Sequence, residues 1–190
     1  MKKILFGVSF ILLMAMTACN VSTTPTPEAK PTPLTMTLTS TAFSAGGAIP
    51  DIYSYSDCGG KNISPALNWG EPPAGTKSFA LIVDDPDAKR ATFVHWVLYN
   101  IPATVRGLPE GVPTDPNLKD GTVQGSNGIN TIGYIGPCPP SGTHHYSFRL
   151  YAMDVAQLDP AFSTSTDQRQ VDIAAHALAQ AELKGTFTKK

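Results

Sequence analysis

The sequence predicts a mainly β protein, an antiparallel Greek-key β-sandwich with one peripheral α-helix near the C-terminus. Two continuous apolar runs, Phe79–Val83 and Phe93–Ile101, are typical of strands that are buried on both faces. Long stretches rich in Gly, Pro, Asn and Asp separate the apolar segments, and this irregular spacing favours a sandwich over a parallel α/β sheet. Helical periodicity is confined to the last segment of the chain.

Three further segments have strand character. Residues 34–39 alternate apolar side chains with threonine, which predicts one half-buried strand. Residues 66–69 form a short apolar run that ends at a Gly-Glu-Pro-Pro turn. Residues 146–153 again alternate, so a further strand is expected there.

The predicted helix rests on apolar residues at helical spacing, which are Val171, Ala174, Ala175, Leu178 and Ala181. Ser165 or Thr166 is expected to cap its start, and Gly185 is expected to end it. We expect its alanine-rich face to pack on a sheet.

The N-terminus has the pattern of an export signal. Residues 1–18 combine two lysines, an apolar run and small residues ahead of Cys19, which predicts a signal peptide. Met16–Cys19 resembles a bacterial lipobox, in which the cysteine becomes lipidated; an ordinary signal with an incidental cysteine is the alternative. Residues 19–33 would then form a lipidated cysteine and a Thr/Pro-rich tether, and residues 34–190 one domain.

The charge balance argues against nucleic acid as a partner. The chain has 14 Lys and Arg residues and 15 Asp and Glu residues, a net charge of −1, and loss of Lys2 and Lys3 with the signal lowers it to −3. Binding to nucleic acid needs a basic surface, so this class of function is not expected.

Two cysteines remain in the domain, Cys58 and Cys138. An exported protein lies in an oxidising compartment, so an even pair predicts a disulfide. The bridge would close a loop of about 80 residues and stabilise the fold by about 4 kcal/mol in the chain-entropy model. Two separate buried thiols are the alternative. Neither cysteine lies in a Cys-x-x-Cys pair, so a zinc site is not expected.

Polar residues interrupt or end the predicted strands at three points. Asp85 and Asp87 follow the first buried run, His95 lies within the second, and His144 and Tyr146 enter a third strand. If these strands are neighbours, the polar side chains meet at one end of the sandwich. Taken singly, each has a simpler explanation: a core histidine bonded to a backbone carbonyl, or an Asp-Pro-Asp turn.

Strand parity separates the two adjacent histidines. Successive side chains of a strand point to opposite faces, so one of His144 and His145 shares a pocket with Tyr146 and the other does not. By parity His144 is the pocket residue, and His145 is expected in solvent or at the rim.

These segments together resemble the phosphatidylethanolamine-binding protein (PEBP) family, also called Raf-kinase-inhibitor-like, and in particular its bacterial branch, here as a lipoprotein. The matching pieces are Cys58-x-Gly60-x-Asn62-x-Ser64-Pro65-x-Leu67-x-Trp69, Asp85-Pro86-Asp87-Ala88, His95-Trp96, Gly125-x-Asn127, Gly133-Tyr134-x-Gly136-Pro137-Cys138-Pro139-Pro140, His144-x-Tyr146 and LAQAELKGTF at residues 178–187. Each piece alone is weak, but their order and spacing together are highly specific.

The resemblance implies a PEBP-like sandwich with a small pocket for anions such as phosphate, phosphorylated head groups or acetate. Carried over by position, the ligand-binding residues are Asp85, Asp87, His95, Gly136, His144 and Tyr146. It also makes Asp85–Pro86 a candidate cis peptide. Lys89 stands where family members often have proline, so the loop after the Asp-Pro-Asp-Ala motif is expected to differ in shape.

A pocket of this composition suggests how an anion is held. Both pocket histidines are expected to donate N–H groups, and each aspartate to accept the far N–H of a histidine and favour its charged form. The prolines of residues 136–143 would hold the remaining backbone amides ready to donate. Binding would then tighten below about pH 6.5, where free imidazole becomes charged.

The predicted function is non-catalytic binding of an anionic or phosphorylated ligand by a protein that is lipid-anchored on the extracytoplasmic side of the bacterial cell envelope. No cofactor is expected. Three alternatives stay open: a protein inhibitor or signalling modulator that acts on an unknown protein target, an Asp/His hydrolase with Ser141 near His144, and a Zn²⁺ or Mn²⁺ site formed by Asp85, Asp87, His95 and His144.

Overall fold

Two β-sheets pack face to face in the part of the chain that the computed structural model describes, residues 34–163 and 165–190. The predicted signal peptide, Cys19 and the tether lie outside the described residues. The strands are β1 (Leu34–Thr35), β2 (Leu38–Ser40), β3 (Leu67–Trp69), β4 (Ser78–Asp85), β5 (Phe93–Pro102), β6 (Gly107–Leu108), β7 (Val123–Gln124), β8 (Thr143–Met153) and β9 (Ala177–Thr188). One α-helix, α1 (Thr166–His176), and 3-10 turns at Asp51–Tyr53, Ser56–Cys58 and Pro160–Ser163 complete the elements of this part of the chain.

The sheets confirm the predicted mainly β class. The larger sheet has the order β1-β9-β8-β4-β5-β7 and the smaller one β2-β3-β6, and all pairings are antiparallel except that of β1 with β9. All eight residues of β4 are buried, as the continuous apolar run at its centre predicts. Within the described residues, no helix combines the length and hydropathy that a membrane span needs.

The larger sheet has a hydrophobic core on each face. One face packs Phe79, Leu81 and Phe148 against Leu38 and Trp69 of the smaller sheet. The opposite face forms a second core, whose buried members are Ala80, Ile82, Val97, Tyr99, Tyr151, Met153, Leu158, Phe162 and Ala177. Burial on both faces explains why β4 and β5 read as unbroken apolar runs rather than as alternating strands.

The single strand predicted over residues 34–39 is two short strands. β1 pairs with β9 in the larger sheet, whereas β2 pairs with β3 in the smaller one. The Met36 amide still donates to the Gln180 carbonyl at 2.8 Å, so the chain leaves one sheet immediately before it enters the other. The alternating pattern was correct for β2, where Leu38 is buried and Thr39 is exposed, but wrong for β1, where both residues are exposed. The pattern also carries no information about a change of sheet.

The predicted helix is half right. Ser165 caps it, because its Oγ accepts a hydrogen bond from the Gln168 amide at 3.1 Å. The helix ends at His176, however, and the following twelve residues form β9, which pairs with the whole of β8. Alanine, leucine and glutamate favour helices, and in β9 the tertiary pairing overrides that preference.

The correction also changes the role of Gly185. It lies within β9 opposite Tyr146, and a Cβ there would approach Ile49 Cγ1 to 2.6 Å and the Phe43 ring to 2.8 Å. Gly185 therefore makes room for two core side chains instead of ending a helix.

The face of α1 that packs inward is not the predicted one. Val171, expected on the buried face, is 60% exposed. The buried residues of the helix are Arg169 and Asp172, and Ile173 packs against the second core.

Strand β9 gives a test that separates it from a continued helix. Leu183 is buried between the sheets, whereas Leu178, which the helical pattern would bury, is only partly covered. We expect Leu183→Ala to lower the free energy of unfolding by about 2–5 kcal/mol, as for other buried Leu-to-Ala changes. The matched Leu178→Ala change should cost clearly less in the same urea titration. A larger loss for Leu178→Ala would contradict the strand.

Candidate functional site

The polar residues singled out in the sequence surround a cavity of about 480 Å³ at one end of the larger sheet. Because β4 runs antiparallel to both β5 and β8, the end of β4 lies beside the first residues of the other two strands. The lining residues are Tyr55, Asp57, Asp85, Ala88, Lys89, Arg90, Ala91, Phe93, His95, Ile135, Gly136, Cys138, Pro139, Pro140, His144 and Tyr146. Five of the six proposed ligand-binding residues are among them, and Asp87 is the exception.

Asp85 and His144 form a buried pair in the cavity wall. Nδ1 of His144 lies 2.6 Å from Oδ2 of Asp85, and both side chains are almost fully buried. A carboxylate accepts hydrogen bonds, so Nδ1 carries the proton. The opposite nitrogen, Nε2, has no hydrogen-bond partner among the described residues and is left for a ligand. This arrangement is the one predicted for a pocket histidine held by an aspartate.

His145 and Asp87 form a second pair outside the cavity. Both the amide and Nδ1 of His145 donate to Oδ2 of Asp87, at 2.9 and 2.7 Å, and the imidazole is 57% exposed. These hydrogen bonds hold the pKa of the Asp87 carboxyl below its usual range. The parity prediction for His145 is confirmed, but Asp87 does not line the cavity and supports the rim histidine.

His95 is anchored by the backbone instead of by an aspartate. Its Nδ1 lies 2.7 Å from the Ile135 carbonyl oxygen, so Nδ1 carries the proton and a neutral ring presents an unprotonated Nε2. The ring packs edge-on against Phe93 and Tyr146, with centroids 4.8 and 5.1 Å apart. Burial lowers the pKa of His95 to about 4, although the Ile135 hydrogen bond and Asp85 oppose this shift. The expectation that both pocket histidines become charged near pH 6.5 is therefore wrong for His95, which at neutral pH accepts hydrogen bonds at Nε2.

Tyr146 presents a buried hydroxyl without a partner among the described residues. The residue is 1% exposed and lines the cavity, yet its hydroxyl oxygen makes no hydrogen bond within that part of the chain. Burial, with smaller contributions from the charges of Asp85 and Asp87, raises the pKa of Tyr146 well above its usual value, so the hydroxyl stays protonated. A buried hydroxyl without a partner is costly, and a ligand acceptor in the cavity would satisfy it.

The Gly-Pro-rich loop builds a wall and offers few donors. The Gly136 amide donates to Oδ1 of Asn62 at 2.8 Å and is not available to a ligand. A Cβ on Gly136 would collide with the backbone of residues 53–55, so only glycine fits there. Prolines have no N–H group. Of the loop residues that line the cavity, Cys138 alone can offer a free backbone amide, and the expected row of amide donors is not formed.

The predicted disulfide joins this loop to the preceding one. Cys58 and Cys138 are bonded, with their Cα atoms 5.6 Å apart and a separation of 80 positions in the sequence. The Tyr55 amide also donates to the Pro137 carbonyl, at 3.1 Å. The rigid loop is therefore held against residues 53–58, and it fixes the side of the cavity formed by Cys138, Pro139 and Pro140. The Asp85–Pro86 peptide bond is trans, since no peptide bond in the described residues is cis.

Lys89 and Arg90 line the cavity, although sequence reasoning did not place them in the site. They lie in the loop between β4 and β5, and the signal that could have found them is a basic pair directly after the Asp-Pro-Asp-Ala motif. Asp57 lies on the wall with them. The positive charge nearest the cavity is thus provided by two side chains of the β4–β5 loop and not by His95.

The geometry does not support the alternative metal site. Asp87 turns to His145, and Nδ1 of His95 is bound to a carbonyl. Of the four candidate ligands, only Asp85 and His144 are directly paired. No group of three or more His, Cys, Asp or Glu side chains that could hold a metal occurs within residues 34–163 and 165–190.

A two-sheet β fold with a cavity at one end of the larger sheet is the architecture that the motifs indicated. The family model described as phosphatidylethanolamine-binding protein matches residues 39–188. The chain therefore belongs to the phosphatidylethanolamine-binding protein family, as its motifs indicated.

Relatives and solved structures agree with this assignment. A "UPF0098 protein" of Methanothermobacter thermautotrophicus is 47% identical over 149 residues, which cover 78% of this chain and 95% of that protein. A protein of the same description from Aquifex aeolicus is 41% identical, with 77% and 93% covered. The crystal structure of a PEBP homologue of Chlamydia trachomatis superposes with a TM-score of 0.72 at 40% identity, covering 82% of this chain and 99% of that one. E. coli YbcL, described as a member of the mammalian PEBP family, gives 0.74 at 34% identity with the same coverage.

The buried, neutral state of His95 predicts acid sensitivity. Unfolded His95 binds a proton with a pKa of about 6.5, and in the folded protein this pKa is about 4. Between these values the unfolded state binds more protons, so the stability that His95 contributes is fully present above pH 6.5. It is lost as the pH falls toward 4, by up to about 3 kcal/mol.

Urea unfolding over this pH range tests the prediction. His95→Gln keeps a donor for the Ile135 carbonyl without a group that titrates, so its stability should fall less on acidification than that of the wild type. The exposed His145→Gln variant serves as the control and should follow the wild type. Parallel curves for wild type and His95→Gln would contradict the assignment.

Proposed function

We propose that this protein binds a small phosphate-type anion, either free or as the head group of a larger molecule, in the cavity of His95, His144 and Tyr146. The observation that carries the proposal is the Tyr146 hydroxyl, which is buried, protonated and without a protein partner in the cavity wall. Buried polar groups are nearly always hydrogen-bonded, and this donor points to an acceptor supplied by a ligand.

The three polar side chains require different hydrogen-bonding groups on that ligand. Tyr146 donates, whereas the neutral ring of His95 accepts at Nε2. His144 donates at Nε2 when its ring is an imidazolium, with Asp85 balancing the added charge at Nδ1. A phosphate monoester monoanion has both the acceptor oxygens and the one P–OH donor that this set requires. Phosphate esters lose their second proton near pH 6, so this form is available close to neutral pH.

The positive charge that attracts the proposed anion comes mainly from two side chains at the rim of the cavity. Lys89 and Arg90 lie on the β4–β5 loop, and their cationic ends supply attraction that the neutral His95 does not. Guanidinium groups match the geometry of phosphate oxygens. A phosphorylated head group can thus seat its phosphate against Tyr146 and His144 while the rest of the molecule leaves past this loop.

Binding without turnover is proposed because, among the described residues, the cavity lining contains no serine or threonine, and its cysteine, Cys138, is in the disulfide. Ser141, the candidate nucleophile in the sequence, is not part of the lining. A hydrolase would have to act through a water molecule activated by His144. The binding experiment therefore also measures phosphate release from the ester.

We further propose that the protein is exported and anchored to the cell envelope by lipid on Cys19, with residues 19–33 as the tether. The signal pattern of residues 1–18 supports this location. Stable attachment of a peripheral protein needs more than one acyl chain, which a lipidated N-terminal cysteine provides.

Calorimetric titration with inorganic phosphate and with phosphorylethanolamine tests the site. Tyr146→Phe removes one hydrogen bond to a charged group, worth about 1.5–3 kcal/mol, and should weaken binding about tenfold or more. His144→Gln should weaken it at least as much, whereas the neighbouring His145→Gln, outside the cavity, should bind as the wild type does. The same samples are assayed for phosphate release from the ester, and none is expected.

The comparison of the two histidines makes the result decisive. Equal losses for His144→Gln and His145→Gln, or binding that Tyr146→Phe leaves unchanged, would place the anion elsewhere. Phosphate release that His144→Gln abolishes would instead establish a hydrolase.

The anchor is tested by fractionation of a bacterial host that expresses the full chain. The wild type should incorporate labelled fatty acid and sediment with membranes, and Cys19→Ser should do neither. Ser22→Ala, in the proposed tether, is the control and should remain membrane-bound. Unlabelled wild-type protein in the soluble fraction would refute lipidation.

A further inference from the structure

Arg169 on α1 is a buried cation that forms no ion pair with an acidic side chain among the described residues. The residue is 4% exposed. Its Nη1 donates to the Phe162 carbonyl at 3.2 Å and its Nη2 to the Thr166 hydroxyl at 3.0 Å. Both acceptors are neutral, and none of the ion pairs in the described residues includes Arg169. A buried charge without a counter-charge is unfavourable unless something supplies one.

The buried acid on the same helix does not form an ion pair with Arg169. Asp172, three residues further on, accepts a hydrogen bond from the Gln168 side chain at 2.7 Å. Burial lowers the pKa of Arg169. The guanidinium has five N–H groups, and within the described residues it makes two hydrogen bonds.

Arg169 also lines a second cavity. The cavity has a volume of about 380 Å³ and lies between the start of β5, the loop at residues 126–130 and the start of α1. Its polar lining includes Arg90, Ser126, Asn130, Thr166 and Arg169. Both charged residues are arginines, and no aspartate or glutamate is among the described residues that line it.

The start of α1 adds a further positive contribution. The helix is 11 residues long and begins at Thr166, which lines the cavity. Ser165 uses the amides of Gln168 and Arg169, through its Oγ and its carbonyl. Helix N-termini favour anions, and Asp167 already places one carboxylate in this first turn.

We propose that this second cavity is an anion-binding site, distinct from the cavity of Tyr146, with Arg169 as its buried anchor. The ligand class is a phosphate or carboxylate group, because a guanidinium binds either one through two parallel hydrogen bonds. Asn130 and Ser126 supply neutral polar groups at the wall, and Arg90 supplies a second cation at the mouth. The bound anion provides the counter-charge that the protein itself does not give Arg169.

Titration of the ¹⁵N-labelled protein with inorganic phosphate, at constant ionic strength set by NaCl, tests the site. Saturable shifts are expected for the amides of Gly128, Asn130 and Thr166, which line only this cavity. Amides of Ile135 and His144 report the cavity of Tyr146 in the same spectra. The same spectra therefore show separately whether each of the two cavities binds phosphate.

One buried and one exposed residue are substituted, so that the test does not depend on whether the buried variant folds. Arg169→Gln removes the charge, and Asn130→Asp places a carboxylate on the exposed wall without disturbing the core. Asn130 has a positive φ of 60°, a conformation that aspartate also tolerates. Each change should weaken phosphate binding at this cavity at least about tenfold, as expected for loss or repulsion of a charge-assisted contact.

Arg106→Gln is the matched control, since Arg106 pairs with Glu71 at the surface and lies outside the cavity. It should leave the shifts of Gly128, Asn130 and Thr166 unchanged. If Arg169→Gln does not fold, the spectra of Asn130→Asp decide. Absence of saturable shifts in the wild type, or equal affinity in the wild type and Asn130→Asp, would overturn the proposal.

Discussion

The pairing of β8 with β4 on one side and β9 on the other is the constraint on which the site depends. The two ladders fix the register of β8 along its whole length, from Thr143 opposite Thr188 to Met153 opposite Ala177. A slip of one residue would turn every side chain to the other face. His144 and Tyr146 would then leave the cavity, and His145 would enter it. The chemistry of the cavity is therefore set by backbone hydrogen bonds that lie outside it.

Within that register, the two pocket histidines are held in opposite ways. A carboxylate fixes Nδ1 of His144 and a backbone carbonyl fixes Nδ1 of His95, so both rings leave Nε2 toward the cavity. The difference lies in the anchor. Asp85 places a carboxylate against the His144 ring, whereas burial among Phe93, Tyr146 and Ile135 keeps His95 neutral. At neutral pH Nε2 of His95 can therefore only accept a hydrogen bond.

Sequence reasoning succeeded where the cause is local. Alternation and apolar runs predicted β4, β5 and β8, parity assigned His144 to the cavity and His145 to the rim, and the even pair of cysteines predicted the disulfide. It failed where tertiary contacts decide. Residues 177–188 contain good helix formers, but apolar and polar side chains also alternate along them. They form a strand because they pair with the edge of β8. Sequence reasoning offered a backbone carbonyl as the partner of a core histidine, which is correct for His95, but nothing in the order of residues shows that Asp87 bonds His145.

The same limit explains why Arg169 went unnoticed. A helical pattern predicts that apolar residues such as Val171 face the protein, but α1 buries an arginine and leaves Val171 exposed. The Arg169 guanidinium donates to the Phe162 carbonyl in the preceding 3-10 turn, and helical periodicity does not show this contact. Arg90, Ala91 and Phe93 line both cavities, so one short segment belongs to the wall of each of the two proposed sites.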